Sequence, residues 1–123
     1  FGADFDAYVA EAQEALVIAQ IEHVDAIAEL PAIARVEGLD AVMIGPYDLS
    51  ASLGCTGDLA NPRVLEAIER IRSTCREHGM PVGTHVVTPD PGALRARIAE
   101  GYQFVAYGVD TTFLRSVSGR PTA

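Results

Sequence analysis

The chain has 123 residues, enough for one domain with a hydrophobic core and too few for two. Nearly half of it is apolar (49%) and 21% is charged, an ordinary globular balance, and no apolar run approaches the ~18 residues of a membrane span. The net charge of -8 argues against a nucleic-acid partner, and the basic residues are all arginine, which removes any lysine Schiff base or P-loop lysine from this chain.

The elements alternate along the chain. Residues 3–14 carry Phe5, Tyr8, Val9 and Ala12 at helical spacing, with Asp4 as the expected cap. Residues 16–21 (LVIAQI) form a short run, apolar on both faces, which predicts a strand buried on two sides as in a helix-covered parallel sheet. Val24, Ile27, Ala28, Leu30, Ile33 and Ala34 predict a helix broken near Pro31 and closed by Gly38. Ala41–Ile44 reads as a second strand, followed by a loop over residues 45–50. Asn61 and Pro62 supply a cap and a first-turn proline to a long helix whose apolar positions are Val64, Leu65, Ile68, Ile71 and Cys75, ended by His78 and Gly79. Residues 81–87 predict a third strand, Asp90 and Pro91 open a helix running to Gly101, Phe104–Tyr107 is the fourth strand, and Asp110–Val117 is a last helix.

Four strand–helix units in a row imply parallel strands with right-handed crossovers, so the class is α/β. An open doubly wound sheet and a closed barrel both fit. A complete eight-unit barrel takes roughly 250 residues, about twice this length. Phe1, with no methionine ahead of it, reads as an internal start, so the sequence is expected to be part of a longer protein. Cys55 and Cys75 form no CxxC pair, and the opening residues do not read as a signal peptide; a cytoplasmic location is expected.

Glu22 and Asp48 each follow a predicted strand, where parallel α/β folds gather ligands. Two hard oxygen donors suit Mg²⁺, Mn²⁺ or Co²⁺ better than structural zinc. Read singly, either acid also suits the start of the next helix. In GPYDLSASLG (residues 45–54), Gly45 and Pro46 predict a rigid turn that turns the amides of Tyr47 and Asp48 outward toward an anionic oxygen.

Gln20-Ile21-Glu22, the stretch VEGLDAVMIGPYDLSASLG (residues 36–54) and FVAYGVDTTFLR (residues 104–115) together resemble the HpcH/HpaI aldolase family, over most of the chain from Leu16 to Arg115. These are metal-dependent class II pyruvate aldolases acting on 4-hydroxy-2-oxo acids and 2-keto-3-deoxy sugar acids. The resemblance implies a TIM (β/α)8 barrel of the phosphoenolpyruvate/pyruvate superfamily. Residues 1–123 would then be the C-terminal half of one barrel domain, carrying its strands five to eight. It further implies that Glu22 and Asp48 hold the divalent metal (Mg, Mn or Co), that Gln20 lies beside the pyruvate carboxylate, and that the amides of Tyr47 and Asp48 hold that carboxylate. The implied reaction is reversible aldol cleavage of a 4-hydroxy-2-oxo acid to pyruvate and an aldehyde through a metal-stabilised pyruvate enolate.

The family's catalytic histidine and arginine lie on strands absent from this chain, so no catalytic residue is assigned in it. His23, His78 and His85 do not match the histidine motif. Other expectations from the same resemblance are a related carbon–carbon lyase (citramalyl or malyl thioester lyase, or oxaloacetate decarboxylase) and a catalytically silent half-barrel that only associates. Expected partners are the 2-oxo acid substrate and pyruvate, together with a second copy or the N-terminal half, with no nucleic acid or membrane.

Overall fold

The computed structural model describes residues 4–118. Among them are six helices and one parallel four-stranded sheet: α1 (Phe5–Gln13), β1 (Ile18–Ile21), α2 (Val24–Ile33), β2 (Ala41–Ile44), α3 (Pro46–Ser52), α4 (Pro62–Glu77), β3 (Val82–Val86), α5 (Pro91–Ala99), β4 (Phe104–Tyr107) and α6 (Asp110–Val117). The strands lie in the order β1-β2-β3-β4, so sequential strands are neighbours throughout. Gln20 pairs with Met43, Met43 with Gly83, and Gly83 with Phe104.

This register puts alternate residues on opposite faces. One face carries Ile21, Val42, Ile44, Val82 and Thr84, all buried, against Ile27 and Leu30 of α2 and Ala67, Ile71 and Cys75 of α4. The other carries Ile18, Gln20, Met43, His85, Phe104 and Ala106, none of them buried, beside the small residues Ala41 and Gly83, which are. The expectation of strands buried on two sides is therefore corrected: one face is packed and the other is open among the described residues. β1 shows it most, since it is an edge strand. It begins at Ile18 rather than residue 16, and Leu16 is 75% exposed. Ahead of it, Val17 is held by Asp40, whose carboxylate accepts its N–H at 2.8 Å while its own N–H donates back to the Val17 carbonyl at 2.9 Å.

The caps behave as their chemistry dictates. Asp4, Asn61 and Asp90 side chains accept amides of the first turns of α1, α4 and α5, and Pro62 and Pro91 follow as first helical residues. Two expectations change here. Pro31 lies inside α2 without ending it, and the helix closes at Ala34, so Gly38 (φ +83°) belongs to the turn beyond and not to the cap. Residues 45–50 are not a loop either: Pro46 starts the helix α3, because its fixed φ suits a first turn and Leu49, fully buried, supplies the anchoring face. At the opposite end of the sheet Arg72 stacks 5.0 Å over the Tyr102 ring and donates to the Glu100 carbonyl, tying α4 to the turn before β4.

Candidate functional site

The C-terminal ends of β1 and β2 converge on Gly45. Its N–H donates to the Ile21 carbonyl at 3.1 Å, which continues the ladder one residue past both strands. A Cβ at this position would stand 2.9 Å from Gln20 Nε2 and 3.0 Å from Glu22 Oε2. Glycine is favoured here by space and not by conformation: a Cβ would press on the ends of Gln20 and Glu22, while the φ of -94° is open to any residue. Gln20 Nε2 donates to Glu22 Oε2 at 2.5 Å, so the amide holds the carboxylate in one orientation against the Gly45 backbone.

The chain then turns directly into α3. Pro46, Tyr47 and Asp48 occupy its first turn, where backbone amides have no partner within the helix. Two contacts secure this short helix: Leu49 in the core, and the buried Ser50, whose hydroxyl donates to the Tyr47 carbonyl at 2.6 Å and accepts the Gly57 N–H at 2.8 Å. Ser50 is a supporting residue with no distinguishing signal in the sequence, where it is one of two serines in GPYDLSAS.

A cavity of about 170 Å³ on the open side of the sheet is lined by Gln20, Met43, Gly45, Tyr47, Asp48 and His85, with Pro46 and Val87 at its wall. Gln20, Tyr47 and Asp48 thus face one space. Glu22 is not among its lining residues and meets the site through Gln20 and Gly45. Neither Glu22 nor Asp48 is paired with an arginine among the described residues. No cluster of three or more His, Cys, Asp or Glu gathers among them. Two carboxylates without an arginine partner, one of them held by the Gln20 amide, are oxygen donors of the kind that suits Mg²⁺ or a similar hard ion.

The histidines are placed otherwise. His23, and not Glu22, caps α2, its Nδ1 accepting the Asp25 N–H at 3.3 Å. His78 closes α4 with its ring 2.9 Å from the Thr74 carbonyl. His85 Nε2 lies 3.1 Å from the Gly108 carbonyl, which requires that nitrogen to carry the proton. Cys75 is buried in the core and Cys55 half-buried, both as free thiols. No helix among the described residues is long and apolar enough to cross a membrane.

The sequence model of the HpcH/HpaI aldolase/citrate lyase family matches residues 5–116. The chain is 39% identical over 118 residues to a hydroxypyruvate/pyruvate aldolase of Pseudomonas aeruginosa, covering 92% of this chain and 43% of that protein. It is 43% identical over 102 residues to a pyruvate aldolase of Rhizobium etli, covering 83% and 39%. Its fold superposes with a TM-score of 0.82 and 30% identity on the crystal structure of an HpcH/HpaI aldolase/citrate lyase family protein from Burkholderia cenocepacia, covering 96% of this chain and 45% of that one. The chain spans less than half the length of each of these relatives.

Proposed function

The chain belongs to the HpcH/HpaI aldolase/citrate lyase family, and on that premise we propose that it is the metal- and carboxylate-binding half of a 2-oxo acid aldolase. The reaction is reversible cleavage of a 4-hydroxy-2-oxo acid to pyruvate and an aldehyde. The observation that carries this reading is the Gln20–Glu22 pair set against Gly45, one residue before the helix that presents Tyr47 and Asp48. The aldolase names of the relatives support the reaction class. On this reading the four strand–helix units are strands five to eight of a (β/α)8 barrel, whose ligands gather at the C-terminal ends of the strands.

Glu22 and Asp48 would hold a divalent ion, and Gln20 keeps the Glu22 carboxylate oriented. A bound ion supplies Lewis-acid stabilisation of negative charge on the substrate's 2-oxo oxygen. The amides of Tyr47 and Asp48 bind the substrate carboxylate, and Pro46 fixes their direction without ordering cost. Cleavage takes the proton of the C4 hydroxyl, breaks the C3–C4 bond and leaves its electron pair on the pyruvate fragment, which regains a proton at C3. No arginine lines the cavity, and its one histidine is engaged with the Gly108 carbonyl. The proton acceptor and a cation for the keto oxygen therefore come from the other half of the barrel. The open sheet face and the two edge strands, each with one neighbour, support pairing with that half or with a second copy. The same observation favours a second reading, a chain that is silent by itself.

The experiment is calorimetric titration with Mn²⁺ and then pyruvate, followed by a pyruvate-release assay over 4-hydroxy-2-oxo acids, oxaloacetate and malyl or citramalyl thioesters, with and without the complementary half. Glu22→Gln or Asp48→Asn should remove Mn²⁺ binding, and release should appear from 4-hydroxy-2-oxo acids only with the complement. Unchanged Mn²⁺ affinity in both variants overturns the metal assignment; preference for a thioester or oxaloacetate transfers the site to another lyase of the same family.

A further inference from the structure

His85 is the one basic side chain lining the cavity beside Asp48. Ile44 pairs with Thr84 and His85 with Ala106, so the same register carries His85 to a place beside Gly45 on the next strand. Ile21 pairs with Ile44, which carries Glu22 to the other side of Gly45. Gly45 has no side chain to stand between them. The cavity wall is therefore divided: Gln20, Tyr47 and Asp48 come from β1 and α3, and His85 and Val87 from β3 and the residue after it.

The ring is held by a fixed turn. Its Nε2–H donates to the Gly108 carbonyl at 3.1 Å, and the Gly108 N–H donates to the Val86 carbonyl at 2.8 Å. Gly108 has a φ of +70°, which glycine adopts freely, and the Phe113 ring fills the place a Cβ would take. The Thr112 hydroxyl lies 3.0 Å from the Val87 carbonyl and accepts the Val109 N–H at 3.0 Å, clasping the end of β3 to the start of α6. A carbonyl only accepts, so Nε2 carries the proton and Nδ1 of the neutral ring is left as an acceptor. Nδ1 has no hydrogen-bond partner among the described residues. Anchoring one ring nitrogen on a backbone carbonyl is how proteins fix the tautomer and direction of the other.

We propose that His85 sets the specificity of this site: its Nδ1 accepts a hydrogen bond from a hydroxyl on the aldehyde portion of the substrate, so that hydroxylated aldehydes are preferred over apolar ones. The inference rests on the aldolase reading above. With a metal on Glu22 and Asp48 and the carboxylate on the amides of Tyr47 and Asp48, the β3 side of the cavity is left for the carbons beyond the oxo acid. His85 and Val87 also border the wider groove between α4 and α5, so the space continues on this side. Val87 offers those carbons only apolar contact, and His85 offers an acceptor. An apolar aldehyde would cover that acceptor without pairing it, which is how a polar group discriminates. Accepting a hydrogen bond leaves the ring neutral, so a proton acceptor from the other half of the barrel is still needed for cleavage.

The test compares two substrates that differ by one group, 4,5-dihydroxy-2-oxopentanoate and 4-hydroxy-2-oxohexanoate, which carry a hydroxyl or a methyl on the same carbon. Pyruvate release by the chain with its complementary half should favour the dihydroxy acid roughly 3- to 10-fold in kcat/KM. His85→Leu should erase that ratio without lowering the rate on the oxohexanoate, and His85→Gln, which keeps a donor for Gly108 and an acceptor, should retain it. A second arm needs no turnover: 4,5-dihydroxypentanoate and 4-hydroxyhexanoate lack the oxo group and are titrated into the Mg²⁺-loaded chain while the His85 ring nitrogens are followed by ¹⁵N NMR. The dihydroxy acid should shift Nδ1 and leave Nε2 protonated, and the hydroxyhexanoate should leave Nδ1 in place. A ratio unchanged in His85→Leu, an equal loss on both substrates, or an Nδ1 signal indifferent to the dihydroxy acid would overturn the inference. Absence of cleavage of either oxo acid would overturn the aldolase reading instead, and the Nδ1 signal then decides the role of His85 alone.

Discussion

The two faces of the sheet share the same strands and differ in almost everything else. Ile44 is fully buried under α2 and α4, while Met43, its neighbour in sequence, stands on the open side beside Gln20 and His85. Folding stability is concentrated on the packed face, where apolar area leaves water. The open face holds the polar constellation, and it contributes little to holding the fold because no element among the described residues covers it. The proposed site sits on this open side, at the ends of strands whose other side is core.

That contrast is measurable. Ile44→Ala should cost about 2–5 kcal/mol in urea unfolding, since it opens a cavity under two helices, and Met43→Ala under about 1 kcal/mol. Comparable losses from the two would erase the distinction between the faces. Ser50→Ala leaves the Tyr47 carbonyl and the Gly57 N–H without their shared partner, and should cost about 1–3 kcal/mol, tying a buried hydroxyl to the shape of the site.

Gly45→Ala sharpens the comparison from the other side. Its Cβ would press on the ends of Gln20 and Glu22, which are flexible side chains at the open edge. Mn²⁺ affinity should fall about tenfold, roughly 1.4 kcal/mol, with a smaller change in the unfolding midpoint. A large loss of stability with intact metal binding would place Gly45 in the core's service instead.

The smallest effect is alkaline. Burial raises the Cys75 thiol above its ordinary 9.0 and the Tyr102 phenol above 10.0. The folded chain therefore keeps protons that the unfolded chain releases. Stability from this source is whole below about pH 9 and falls as pH rises through the raised values. Unfolding midpoints measured from pH 7 to 11 should decline only above 9, and Cys75→Ala should flatten the first part of that decline.

Much of this was legible in the residues. Asn61-Pro62 and Asp90-Pro91 set two helix starts, Ala41–Ile44 and Phe104–Tyr107 showed themselves as strands, and Glu22, Tyr47 and Asp48 stood out by their places after strands, whereas Gln20 was singled out by the family resemblance alone. Caps and short apolar runs are local chemistry, so they survive in any context. The helix α3 was missed because GPYDLSAS carries few apolar positions and two residues that usually mark turns. It is Leu49 in the core and Ser50 bridging to Gly57 that make it helical.

The sequence by itself determined the order of strands and helices, their parallel sense and the residues presented at the strand ends, because periodicity, capping and crossover handedness act over a few neighbours. Only the tertiary structure decided which face of those largely apolar strands is packed. The same long-range arrangement set Gly45 against Gln20 and Glu22. Burial of a strand face depends on what crosses over it, and LVIAQI looks the same whether a helix lies above it or nothing does.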